Sequence, residues 1–128
     1  MRLLIDTHVA LFAAISPGDL TADVVEILKD PTQHILLSQA SLWEIALLVS
    51  RNRIHLKGGF KKFISGLEEF LRVEILPLQT SHFDKVTELP FHHKDPFDRI
   101  LVSQALVERV PLISRDEVLD QYDIRRIW

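Results

Sequence analysis

Four acids, Asp6, Glu44, Asp98 and Asp116, stand beside short apolar runs or at the head of periodic ones. Carboxylates are hard oxygen donors, and several gathered at one place suit a divalent cation such as Mg²⁺ or Mn²⁺. A cation of that kind lowers the pKa of a coordinated water and stabilises the attacking and leaving oxygens of a phosphodiester, so no side-chain nucleophile is needed. Without a cation the acids repel. Two unit charges about 4 Å apart do so by on the order of 4 kcal/mol at an effective dielectric of 20.

Each acid also has a purely structural reading. Asp6-Thr7 can cap a helix after a strand. Glu44 stands three residues after Ser41, the spacing of a capping box. Asp95 is the better cap for the helix that opens at Pro96, which leaves Asp98 as a helix-dipole acid or a ligand. Asp116 can begin a turn. Taken singly these signals are weak, and their joint placement carries the argument.

The remaining polar residues add less. Arg99 and Arg115, each next to one of the acids, are candidates for orienting a substrate phosphate or for offsetting carboxylate repulsion. Arg51, Arg53, Lys57, Lys61 and Lys62 form a basic stretch without an acid, either a phosphate approach or a solvated surface. His92-His93 suggests zinc, but consecutive side chains rarely converge on one ion and no further ligand pattern surrounds them. His8 reads as a packed or solvated histidine.

The elements that must position the acids follow from apolar runs and periodicity. Leu3 to Ile5 reads as a buried strand ending at Asp6, with strands also expected at Ile35 to Leu37, Val73 to Leu76 and Leu112 to Ser114. A final edge strand is expected within Ile124 to Trp128. Between them lie helices over His8 to Ile15 and from Thr21 to Asp30, and one entered through Ser41 and running to Val49. A clear amphipathic repeat joins Phe60, Phe63, Ile64, Leu67, Phe70 and Leu71. Thr80 or Ser81 is the expected cap of a short helix before Pro90, and Asp95-Pro96 opens a largely apolar helix to about Val110. Strands alternating with helices give an α/β class, a three-layer α/β/α sandwich with a parallel central sheet. In such sheets ligands bind beyond the carboxyl ends of the strands, where Asp6 and Asp116 fall.

The 128 residues suit one domain spanning 1–128, with 47% hydrophobic and 26% charged residues. The absence of cysteine excludes disulfides, thiolate zinc sites and a cysteine nucleophile, and fits a cytoplasmic protein. In Met1 to Ile15, Asp6 and His8 interrupt the apolar run where a signal-peptide core must be uncharged, so the segment reads as mature protein. No apolar run approaches the roughly 18 residues of a membrane span. The net charge of −3 includes the four candidate site acids, and without them the chain is near neutral and need not repel a polyanion.

Four segments, in order, carry a family resemblance: Leu4-Ile5-Asp6-Thr7-His8, Ser41-Leu42-Trp43-Glu44-Ile45, Asp95-Pro96-Phe97-Asp98-Arg99 and Ser114-Arg115-Asp116. Together they resemble the PIN-domain toxins of the VapC type, over essentially the whole chain to Ile127-Trp128. The resemblance implies a PIN fold, RNA endonuclease activity dependent on Mg²⁺ or Mn²⁺, inhibition by a small cognate antitoxin, and a homodimer. It places Asp6, Glu44, Asp98 and Asp116 on the family's acidic quartet. Asp6, Asp98 and Asp116 would hold the metal and Glu44 would orient water or a second ion. Thr7 and Ser114 would be supporting hydroxyls, Ser114 standing where threonine is more usual, and Asp95 a structural member of its motif. Two alternatives remain at this point. One is a PIN-fold module that binds RNA or protein without cleaving. The other is an aspartyl phosphatase centred on Asp6, weakened because His8 occupies the place of its usual partner acid.

Overall fold

A computed structural model describes residues 1–128. Five strands form one sheet: β1 (Arg2–Ile5), β2 (His34–Ser38), β3 (Glu74–Leu76), β4 (Leu112–Ile113) and β5 (Arg126–Ile127). Their order is β3-β2-β1-β4-β5 and every pairing is parallel. The register sets Leu4 opposite Leu36 on one side and Leu112 on the other, with Ile5 beside Leu37 and Ile113. The chain leaves β1 toward β2 and later returns to β1's other edge as β4. The order of connection therefore reverses between β1 and β4, which opens a crevice at their carboxyl ends.

Side chains alternate across a strand, and here both faces are apolar. Leu3, Ile5, Ile35, Leu37 and Ile113 point to one face. There they meet α1 (Thr7–Ile15), α2 (Ala22–Lys29), α3 (Gln39–Ser50) and α4 (Phe60–Gly66) through Val9, Val24, Leu28, Ile45 and Ile64. Leu4, Leu36, Leu76 and Leu112 point to the other face, against α5 (Thr80–Glu88) and α6 (Pro96–Glu108). Leu101, Val102, Ala105, Leu119 and Tyr122 complete that second core. The three-layer sandwich expected from the alternating pattern is the observed fold. Helix α6 is buried from Arg99 through Ala105, as its apolar circumference requires.

Three local expectations give way to tertiary context. Helix α3 starts one turn earlier than Ser41, because Ser38 at the end of β2 caps it by accepting from Ala40 N–H at 3.0 Å. Ser41 is then an interior, buried residue and Glu44 lies in the second turn, so the capping box does not form. Helix α5 is capped at Gln79 rather than at Thr80 or Ser81. Its backbone N–H donates to Nδ1 of the fully buried His82 at 3.1 Å, and His82 Nε2 lies 2.9 Å from Glu108 on α6. The amphipathic repeat from Phe60 widens into a π-turn over Leu67–Leu71, which breaks the 3.6-residue phase and leaves Phe70 exposed instead of on the core side.

Leu4 sits at the centre of the sheet with no exposure. Leu4→Ala should lower stability by about 2–5 kcal/mol, read as a reduced urea midpoint with an unchanged m-value.

Candidate active site

The β1–β4 crevice is where the acids collect. Strand β1 delivers Asp6 directly, and the residue caps α1 by accepting from Val9 N–H at 2.8 Å. It is only 5% exposed, and burial pushes its carboxyl above the ordinary range despite the hydrogen bonds from the Ser114 side chain and Val9. Ser114, fully buried at the end of β4, thus touches Asp6 and also accepts from Asp116 N–H at 3.1 Å. Thr7 and Ser41 share a buried hydrogen bond of 2.9 Å that ties α1 to α3. Thr7 also lies beside the Glu44 carboxyl and favours its ionised form, while burial first and then Asp95 and Asp6 raise its pKa.

Helix α6 supplies the central acid. Asp95 caps it through Phe97 N–H at 2.9 Å, Pro96 occupies its first position, and Asp98 follows in its first turn. Burial, reinforced by Asp95, Asp6 and Glu44 and opposed by His93, pushes Asp98 up to about 7. Asp116 caps the short 3₁₀-turn Glu117–Gln121, its Oδ1 accepting from Val118 N–H at 3.0 Å. Its Oδ2 lies 2.7 Å from His93 Nε2, and the same nitrogen is 3.2 Å from Asp98 Oδ2. The ligand-type atoms of His93, Asp98 and Asp116 all fall within 4.8 Å of one another. Asp6 and Glu44 stand outside this tight trio and act on Asp98 through space.

So the fold brings Asp6, Glu44, Asp98 and Asp116 to one rim, with Thr7, Ser114 and Asp95 as hydroxyl and capping supports. His93 was not expected there. Its neighbour His92 turns instead to stack its ring edge on Tyr122 at 5.0 Å, so the pair does not chelate zinc. A signal was present: a histidine two residues before an N-cap aspartate can fold back on that residue's N–H, and His93 Nδ1 accepts from Asp95 N–H at 3.0 Å. His8 is solvent-exposed, as one of its two readings had it, and its charge favours ionised Asp6 and Glu44.

The two arginines separate. Arg115 is exposed at the rim with its guanidinium 5.1 Å over the Phe12 ring. Arg99 is not: it is 6% exposed and faces away from the acids. Its Nη1 donates to Pro90 O at 2.9 Å and Tyr122 Oη at 3.3 Å, its Nη2 to Leu89 O and Val86 O, and its plane covers Phe91 at 4.2 Å. The expectation that Arg99 orients substrate is corrected accordingly; its fork pins the Pro90 to Asp95 loop onto α6. Arg51, Arg53, Lys57, Lys61 and Lys62 are exposed beyond α3.

With the geometry set out, comparison gives it a family. Residues 3–125 match the PIN domain model, and the chain belongs to the PIN domain family. The fold is similar to that of VapBC2 from Rickettsia felis, in a crystal structure bound to a DNA fragment from its promoter. That likeness has a TM-score of 0.77 at 16% identity, covering 100% of this chain and 99% of that one. VapBC-1 from nontypeable Haemophilus influenzae is similar at TM-score 0.72 and 16% identity, over 99% and 97% of the two chains. FitAcB from Neisseria gonorrhoeae is similar at 0.65 and 19%, over 98% and 96%. No curated protein matches the chain by sequence. No helix is long and apolar enough to cross a membrane.

Two outcomes test this arrangement. Because Asp98 has a raised folded-state pKa, the metal-free protein binds more protons folded than unfolded between about pH 4 and 7. That contribution is present in acid and lost as pH rises through about 7, so the urea midpoint should fall between pH 5 and pH 8, and Asp98→Asn should flatten the fall. Arg99→Ala should cost about 3 kcal/mol or more in urea unfolding, since it strands several buried acceptors. Arg99→Lys should recover only part, lacking the planar fork.

Proposed function

We propose that the protein is a metal-dependent RNA endonuclease, the toxin component of a toxin–antitoxin pair. The observation that carries this reading is the crowding of carboxyls at Asp98, which lies among Asp95, Asp6 and Glu44 and has ligand-type atoms of Asp116 and His93 within 4.8 Å. Glu44 and Asp98 have no lysine or arginine among their charge partners, which suits a hard dication, Mg²⁺ or Mn²⁺, and the oxygen donor set fits such an ion. Asp6, Asp98 and Asp116 would hold it, each keeping at least one carboxylate oxygen directed away from backbone caps. When bound, the cation supplies charge neutralisation at the phosphodiester and an activated water.

The chain's own residues do the rest. Glu44 orients the attacking water, and burial raises its carboxyl above the ordinary range, which makes it a better proton acceptor than a free carboxylate. Ser114 keeps Asp6 and the Asp116 backbone in register across the crevice. Arg115 meets a phosphate at the rim, and the basic stretch from Arg51 to Lys62 offers further anchoring to the RNA backbone. Membership of the PIN family and the likeness to VapBC and FitAcB structures support a small cognate antitoxin as partner. A homodimer is supported by an apolar groove of about 630 Å³ lined by Trp43, Phe83, Phe91 and Phe97. Three of those aromatics are exposed, Phe91 by 85%.

Antitoxin-free protein should cleave RNA with Mn²⁺ and stop in EDTA. Asp98→Asn should reduce the rate on the order of a thousandfold, the loss of several kcal/mol of transition-state stabilisation. Cleavage that survives EDTA unchanged overturns the mechanism, and a folded, Mn²⁺-binding protein that cleaves no RNA favours the binding-module alternative.

A further inference from the structure

One side chain in the crevice has no role in the mechanism above. His93 lies between Asp98 and Asp116, with Nε2 2.7 Å from Asp116 Oδ2 and 3.2 Å from Asp98 Oδ2. Read by proximity alone, it is a third ligand for the cation. The other ring nitrogen argues otherwise. Nδ1 accepts a hydrogen bond from Asp95 N–H at 3.0 Å, and a ring nitrogen that accepts carries no proton. The proton is therefore on Nε2, facing the two carboxylates, and the lone pair a metal would need is not there. To ligate through Nε2 the ring would have to move its proton to Nδ1 and abandon the Asp95 N–H, the residue that caps α6.

The backbone at His93 is also anchored. His93 N–H donates to Tyr122 Oη at 3.0 Å, and that hydroxyl donates to Pro90 O at 3.0 Å. Arg99 donates to both Pro90 O and Tyr122 Oη, which closes a buried network around the loop. These bonds fix the backbone from which the ring projects, and swinging the ring out would break its own contacts to Asp95 N–H, Asp98 and Asp116 together.

Resting on the cation centre proposed above, we propose that His93 is a positioning residue: its Nε2–H holds Asp98 and Asp116 side by side, and it is not itself a ligand. Asp116 is thereby fixed at both oxygens, by Val118 N–H on Oδ1 and His93 on Oδ2. Each oxygen retains a second lone pair for the crevice. Donors of this kind around ligating groups typically change metal affinity 10–100-fold when removed.

Two measurements decide the point. Long-range ¹H–¹⁵N spectra of histidine-labelled protein should show His93 as the Nε2–H tautomer, both metal-free and saturated with Mg²⁺. An Nδ1–H tautomer in the metal-free protein, or a switch to it on adding Mg²⁺, overturns the proposal in favour of direct ligation. In calorimetric titration with Mn²⁺, His93→Ala should raise Kd about 10–100-fold. His93→Gln, which keeps an N–H donor at similar reach, should recover most of that loss. Equal or tighter Mn²⁺ binding by His93→Ala also overturns it. If the wild-type protein binds no Mn²⁺, the cation centre itself fails, whereas the metal-free tautomer still decides what His93 does.

Discussion

Like charges held close together are the constraint around which this molecule is organised. The reversal of connection between β1 and β4 creates the only place where a strand end, a second strand end and two helices meet, and each contributes an acid. Repulsion around Asp6, Glu44 and Asp98 is not relieved by a lysine or arginine side chain, while Asp116 has Arg126 among its charge partners. It is held in place by burial of Asp6, by the Thr7–Ser41 bond between α1 and α3, and by backbone caps on three of the aspartates. The core on both faces of the sheet supplies the stability against which that repulsion works, each fully buried leucine or isoleucine contributing about 1.5–3 kcal/mol.

Behind the acids lies a second level of organisation. Arg99, one residue after Asp98, turns its guanidinium inward and gathers the carbonyls of Val86, Leu89 and Pro90. Tyr122, from the segment after β4, joins the same network and receives the His93 N–H. The loop from Pro90 to Asp95 is thus fastened to α6 and to the β4–β5 connection at once. Its anchoring fixes where His93 stands relative to Asp98 and Asp116.

The layer order and most elements were legible in the sequence because they depend on patterns with a short physical range. Apolar triplets ending in an acid read as strands, and Asp95-Pro96 marked the start of α6. What was not legible depended on partners distant in the chain. Ser41 has the spacing of a cap, but Ser38 reaches the backbone first because β2 and α3 are nearly continuous. Arg99 looks like a phosphate ligand until Tyr122, 23 residues away, draws it inward. His93 looks like half of a histidine pair until the turn before α6 folds one ring into the crevice and the other against Tyr122. The four acids could be proposed as a group from their strand-end and helix-start positions, while the charge coupling among them required the fold.

The aspartates Asp6 and Asp116 serve two masters, since one oxygen of each caps the N-terminus of a helical turn while the carboxyl as a whole supplies charge to the crevice. Asparagine is as good a cap as aspartate but carries no charge. A single Asp-to-Asn change at Asp6 therefore removes charge and keeps the cap on α1, whereas at Asp116 it also sets an amide N–H₂ against His93 Nε2–H. The charge of the crevice and the shape of the outer surface are thus separable at Asp6, one residue setting the first without touching the second.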